Sequence, residues 1–235
     1  MTDEDYLRKL NSIEIYCEIL LGVLRFISVK NYSDENEYYE ILKKNLKFEN
    51  IDDHLRLRAC IDLIEDSQNA ITEFNKKGLI PNPENQGEMY LRLYGVLNAV
   101  YLQMQAVIEL LELFKMPNKK KINNEFRALK IIEVRNKIGA HTPNYNIEKG
   151  SRKTESYRLA QTTITKWGDQ LMLFSSLDKI EKFNLKQLIN EFSKLVELQL
   201  DTISAKVIKS LFPNNSEKKQ WMVDRLHFVR NKRIS

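Results

Sequence analysis

Arg135 and His141, in the stretch RNKIGAH, pair a permanent positive charge with a group that titrates near neutrality. Arginine stays protonated at any working pH and presents two parallel donors to phosphate oxygens. Histidine takes up or releases a proton around pH 7. Together they suit one reaction in particular. RNA carries its own nucleophile, the 2′-hydroxyl beside each phosphate. Cutting it requires proton movement and stabilisation of the extra negative charge on the phosphorane, and neither task needs a metal. The products of such a cut are a 2′,3′-cyclic phosphate and a 5′-hydroxyl.

Positioning these two side chains falls to helices. Apolar residues recur at three- and four-residue steps over 4–29, which predicts one amphipathic helix. A second is expected from a Ser33 cap to about Phe48, and a third from about Asp52 to Lys77, closed by Gly78. Pro81 and Pro83 mark an internal boundary, giving an N-terminal helical segment 1–83 and a second region 84–235. A long helix from about Gln86 to Lys115 stops at Pro117. The run NKKKINN reads as a loop leading into a helix from about Ile122 to Ile138, with Arg135 in its last full turn and Gly139 ending it. Residues 154–176, rich in Tyr, Thr, Ile, Leu and Phe with Trp167-Gly168-Asp169 as a turn, predict a short β-hairpin, with helix as the rival reading. Helix returns from about Asn184 to Leu211 and again from Glu217 to about Arg230. The fold class is therefore mainly α.

Bulk properties remove most other chemistries. Only His54, His141 and His227 are present, and Cys17 and Cys60 form no metal pattern, so metal ligation and cofactors are not expected. His54 and His227 read as ordinary surface or half-buried histidines. No phosphate-binding loop, dinucleotide fingerprint or nucleophile elbow is present. The acidic, polar start and the lack of a long uninterrupted apolar run give neither a signal peptide nor a membrane span, so a cytoplasmic location without membrane partners is expected. Charge is divided along the chain: residues 1–114 carry a net −8 and residues 115–235 a net +13. That asymmetry fits an anionic partner for the second half, or neutralisation of one half by the other.

On the residues RNKIGAH the chain resembles the HEPN superfamily, all-helical proteins that include toxins, antiphage effectors and CRISPR-associated ribonucleases. Arg135 and His141, with five residues between them, match that family's catalytic pair, and Asn136 matches the polar residue that commonly follows the arginine. The resemblance is strong over about 20 residues. It implies an antiparallel helical bundle with additional N-terminal helices, and a homodimer with both Arg/His pairs in one composite cleft. It also implies a metal-independent endoribonuclease used as a toxin or in defence, with RNA as substrate and an antitoxin or other regulatory partner. Two alternatives remain open: a non-catalytic HEPN module binding nucleic acid, a nucleotide or a partner protein, and a plain helical interaction protein.

Weaker candidates surround the motif. Lys119, Lys120, Lys121, Lys137, Arg152 and Lys153 are placed to track a phosphate backbone, or form a solvated basic surface. Tyr145 is a candidate nucleotide contact, and Glu133 a candidate for orienting Arg135. Tyr90, Tyr94, Asn98, Tyr101 and Gln105 recur at three- and four-residue steps, forming a polar-aromatic stripe for a cleft, a partner or simple packing.

Overall fold

Capping residues, more than apolar periodicity, decide where the first helices begin. In the computed structural model, which describes residues 2–27, 32–80, 86–140, 145–146, 154–214 and 216–234, the expected helix 4–29 is two: α1 (Asp3–Lys9) and α2 (Ser12–Phe26). Each opens on a reciprocal capping box, Thr2 with Asp5 and Asn11 with Glu14. Asn11 interrupts the apolar stripe because its side chain satisfies the Glu14 amide better as a cap than within a continuing helix. The cap of α3 (Glu35–Leu46) is Asp34 rather than Ser33, whose amide and hydroxyl both donate to Glu37.

The remaining elements follow in order: α4 (Asp53–Lys77), α5 (Gln86–Leu113), α6 (Lys119–Ala128), α7 (Lys130–Arg135), a π-helical turn (Asn136–Ala140), β1 (Tyr145–Asn146), β2 (Thr154–Glu155), β3 (Tyr157–Leu159), a 3₁₀ turn (Gln161–Thr163), β4 (Leu171–Ser175), β5 (Ile180–Phe183), α8 (Leu185–Leu211) and α9 (Glu217–Ile234). The protein is mainly helical. Two compact units account for it, and neither is continuous in sequence: one holds residues 1–65, 105–119 and 196–235, the other 66–104 and 120–195. This partition differs from a division at residue 83, and segment 81–85 itself lies outside the described residues.

In the first unit α2 packs on α9, with Gly22 against the Trp221 ring and Phe26 meeting that ring edge-on at 5.2 Å. Asp201 accepts from the Tyr16 hydroxyl at 3.1 Å and from two Arg230 nitrogens. His54 stacks on Tyr39 at 4.9 Å with Nδ1 2.8 Å from the Ile51 carbonyl, a structural placement.

The second unit carries the motif. Residues 105–119 belong to the first unit, where α5 stops at Leu113 ahead of a left-handed Lys115 (φ 48°), and Asn118 is left-handed as well (φ 59°). Lys119–Lys121 form the first turn of α6, not a loop: lysine is a good helix former, and the buried Phe126 anchors the helix although three cations in its first turn oppose the helix dipole. Leu129, extended (ψ 134°), separates α6 from α7. The expected hairpin within 154–176 is present as the antiparallel pair β3–β4, with Tyr157 opposite Ser175 and Leu159 opposite Leu173. A third strand, β5, extends it into a three-stranded sheet. In β4, Leu171, Leu173 and Ser175 alternate inward, the two-residue period of a half-buried strand. Phe126 and Phe192 meet at 6.0 Å within the core that also takes Ile131, Ile132 and Val134.

Two glycines close this unit. Gly78 (φ 73°) ends α4 in the left-handed conformation, and Leu79 then donates to the Lys166 carbonyl at 2.6 Å. Gly168 (φ 61°) makes the turn whose carbonyl accepts from the first residue of α8, Leu185, at 2.8 Å. Among the described residues α5 alone has the length and apolarity of a membrane span, and 61% of that window is buried within the fold. Replacement of Gly78 by alanine would force a positive φ on a Cβ that meets the Lys166 carbonyl. Gly78→Ala is expected to lower stability by more than about 1 kcal/mol in urea unfolding, and an unchanged midpoint would contradict this account of the turn.

Candidate functional site

The widened turn after Arg135 sorts the motif's side chains into different environments. Residues 136–140 form a π-helical turn, a geometry often found at functional sites. Lys137 and Ile138 turn inward, 4% and 6% exposed, while Arg135 and Asn136 stay half-buried. Gly139, expected to end the helix, lies inside this turn, which continues α7 by a different hydrogen-bond step.

Lys137 is held from two sides. Its ammonium lies 2.6 Å from Glu133 Oε1, one turn back, and 2.5 Å from Glu181 Oε1 on β5. The Tyr157 ring centroid is 4.4 Å away. Burial favours the neutral amine, but the two carboxylates outweigh it, and the lysine is held above its ordinary range. Lys130 completes the cluster at 2.8 Å from Glu133 and 3.5 Å from Glu181. Burial raises the Glu133 carboxyl, yet hydrogen bonds from Lys130 and then Lys137 bring it below the usual glutamate range. Tyr157, in turn, is pushed up to about 12, first by burial and then by a hydrogen bond to Glu155, with Lys137 opposing.

Arg135 stands outside this cluster. Its guanidinium carbon lies over the Tyr101 ring, 4.0 Å from the centroid, and Nη1 donates to Asn136 Oδ1 at 3.1 Å. No carboxylate among the described residues forms an ion pair with it. The expectation that Glu133 orients Arg135 is therefore replaced: both Glu133 oxygens face lysines, and the arginine is oriented by an amide and an aromatic face. Lys137 is likewise not a phosphate contact, because its charge is spent on two carboxylates in a buried position.

His141, Arg152 and Lys153 lie outside the described residues. Tyr145 is placed by its backbone in β1, paired with Glu155. Lys119 pairs with Glu112. Lys120 is exposed, and Lys121 reaches Glu125 at 3.8 Å along its own helix. The tyrosine stripe on α5 has a clear outcome at three positions. Tyr101 meets Arg135, while Tyr90 and Tyr94 stack on each other at 6.1 Å and line a cleft of about 360 Å³ with Lys137, Ile138, Leu159 and Gln161. Sequence reading missed Glu181, Tyr157 and Gln161. Two of the partners of Lys137, Glu181 and Tyr157, lie on strands, and no spacing rule links position 137 to position 181. Among the described residues no group of three His, Cys, Asp or Glu side chains is placed to hold a metal.

Comparison with models of protein families, with curated proteins and with solved structures gives no match.

Removing the buried lysine would leave Glu133 and Glu181 sharing the single charge of Lys130 among the described residues. Lys137→Met is expected to lower stability by about 3 kcal/mol in chemical unfolding, as when one partner of a buried pair is removed. Lys137→Met combined with Glu181→Leu should cost less than Lys137→Met alone, and equal or additive losses would contradict the pairing. The pH dependence follows from Glu133. Its folded value is lowered, so its contribution is present above the ordinary glutamate range and is lost as pH falls through the folded value. Acid-side destabilisation should therefore be shallower in Glu133→Gln than in the natural protein.

Proposed function

We propose that the chain is a metal-independent endoribonuclease of the HEPN type, acting as a homodimer and serving as a toxin or antiphage effector. The observation that carries this reading is the state of Arg135. In a protein rich in carboxylates, the motif arginine keeps its charge unneutralised among the described residues while neighbouring lysines are paired with glutamates. A purely structural arginine at a helix end would be expected to meet a carboxylate or a terminal carbonyl. Here the ring of Tyr101 supports one face of the guanidinium, and Asn136 fixes one of its five N–H groups. The remaining donors suit two phosphate oxygens.

In this reading Arg135 stabilises the phosphorane, and His141 moves the proton between the 2′-hydroxyl and the leaving 5′-oxygen. Asn136 is a positioning residue that acts through Arg135. The net +13 of residues 115–235 supplies attraction to the backbone.

Purified protein should cleave single-stranded RNA in EDTA. Arg135→Ala and His141→Ala should each reduce the rate by at least about 100-fold. Arg135→Lys should recover little, because an ammonium cannot reproduce the flat, two-pronged contact. Asn136→Ala should lower the rate less than Arg135→Ala. Binding of RNA without any cleavage would favour the non-catalytic module instead, and cleavage unaffected by both alanine variants would remove the assignment.

A further inference from the structure

The cleft beside the motif has walls of a particular chemistry. Tyr90 and Tyr94 sit one turn apart on α5 with their rings 25° from parallel, and Tyr94 is 46% exposed. Apolar side chains from the π-helical turn and from β3 and β4, Ile138, Leu159 and Leu173, form the other side. Gln161, exposed in the 3₁₀ turn, brings an amide with both donor and acceptor capacity. At about 360 Å³ the space suits a flat ring of moderate size. Lys137 is already paired, so the cleft has no unneutralised charge of its own from that residue. Aromatic faces, apolar edges and one amide recognise a heteroaromatic ring better than an anion.

Its place in the fold narrows the ligand further. Tyr94 and Tyr101 are seven residues apart on the same helix, about 10 Å along its axis, and Tyr101 supports Arg135. A phosphate at Arg135 would leave the cleft to the base of a nearby nucleotide on the same strand, not to the scissile one. We infer that this cleft is a nucleobase subsite in which Tyr94, backed by Tyr90, stacks on one base of a single-stranded RNA and the Gln161 amide meets its edge. The inference rests on the ribonuclease reading for the strand's phosphate at Arg135, but the stacking itself does not require cleavage. Stacking on an aromatic ring tolerates any base, so Gln161 is the residue that would set preference among bases.

The test uses the full-length His141→Ala protein in EDTA and short single-stranded oligoribonucleotides carrying 2-aminopurine at successive positions. At one position binding should quench the fluorescence. Tyr94→Ala in that background should abolish the quenching and weaken binding about tenfold. Tyr94→Phe should preserve both, and Leu91→Ala, at an exposed position outside the cleft, should change neither. Quenching that survives Tyr94→Ala, or affinity indifferent to an abasic nucleotide at every position, would overturn the subsite. A Tyr94→Ala variant that binds RNA normally but shifts the monomer–dimer equilibrium would also overturn it and give the cleft to a second copy of the chain. The two readings fail separately. Tyr94-dependent quenching by a natural protein that cuts no RNA supports the subsite and removes the ribonuclease. Cleavage of RNA by a protein whose Tyr94→Ala variant binds and quenches normally does the reverse.

Discussion

The buried ammonium of Lys137 holds the motif's surroundings together. Placed in the π-helical turn, it binds Glu133 one turn back and Glu181 on β5, so one charge fastens the end of α7 to the sheet. A lysine with 4% exposure is tolerable only because both carboxylates reach it, and a third contact comes from the Tyr157 ring. Lys130 balances the second glutamate, which leaves the cluster neutral as a set. The consequence for function is indirect. With Glu133 and Glu181 engaged by lysines, Arg135 meets, among the described residues, an aromatic face and an amide, neither of which cancels its charge.

The same arrangement divides the π-helical turn into two jobs. Its inward residues, Lys137 and Ile138, fix the turn and form part of the cleft floor. The residues leading into it, Arg135 and Asn136, stay half-buried at its entrance. A continuous α-helix would hold residues 135–140 to a single step of rotation, whereas the wider turn changes the facing of the residues after Arg135. The anchored lysine two residues after the arginine ties this turn to β5, and the phosphate contact proposed for Arg135 would rest on that fixed base.

Much of the fold was legible because it follows from local rules. The bounds of α4 and α8 follow from apolar periodicity together with Gly78 and Pro213, while α5 stops at Leu113, slightly before the expected Lys115, which is itself left-handed. The hairpin in 154–176 follows from β-branched and aromatic content around Trp167-Gly168-Asp169. What was hidden depended on competition between local effects or on distant partners. Asn11 interrupts a stripe that the apolar residues alone would continue, and the Lys119–Lys121 run is helical although its charge suggested a loop. Lys137 read as a surface cation because its two partners are Glu133, a helix carboxylate like many others, and Glu181, on an unrecognised strand. Tyr101 was visible only as one member of a stripe, and its contact with Arg135 is a tertiary fact.

In the proposed reaction the nucleophile belongs to the RNA, and Arg135 and His141 act without a metal. The most direct measurement compares two oligonucleotides in EDTA, one all-ribose and one identical except for a single 2′-deoxynucleotide on the 5′ side of the mapped cut, with product ends read by mass spectrometry. The first alone should be cleaved, leaving a 2′,3′-cyclic phosphate and a 5′-hydroxyl. Cleavage of the deoxy-substituted strand at the same bond, or products ending in a 5′-phosphate, would contradict that reaction.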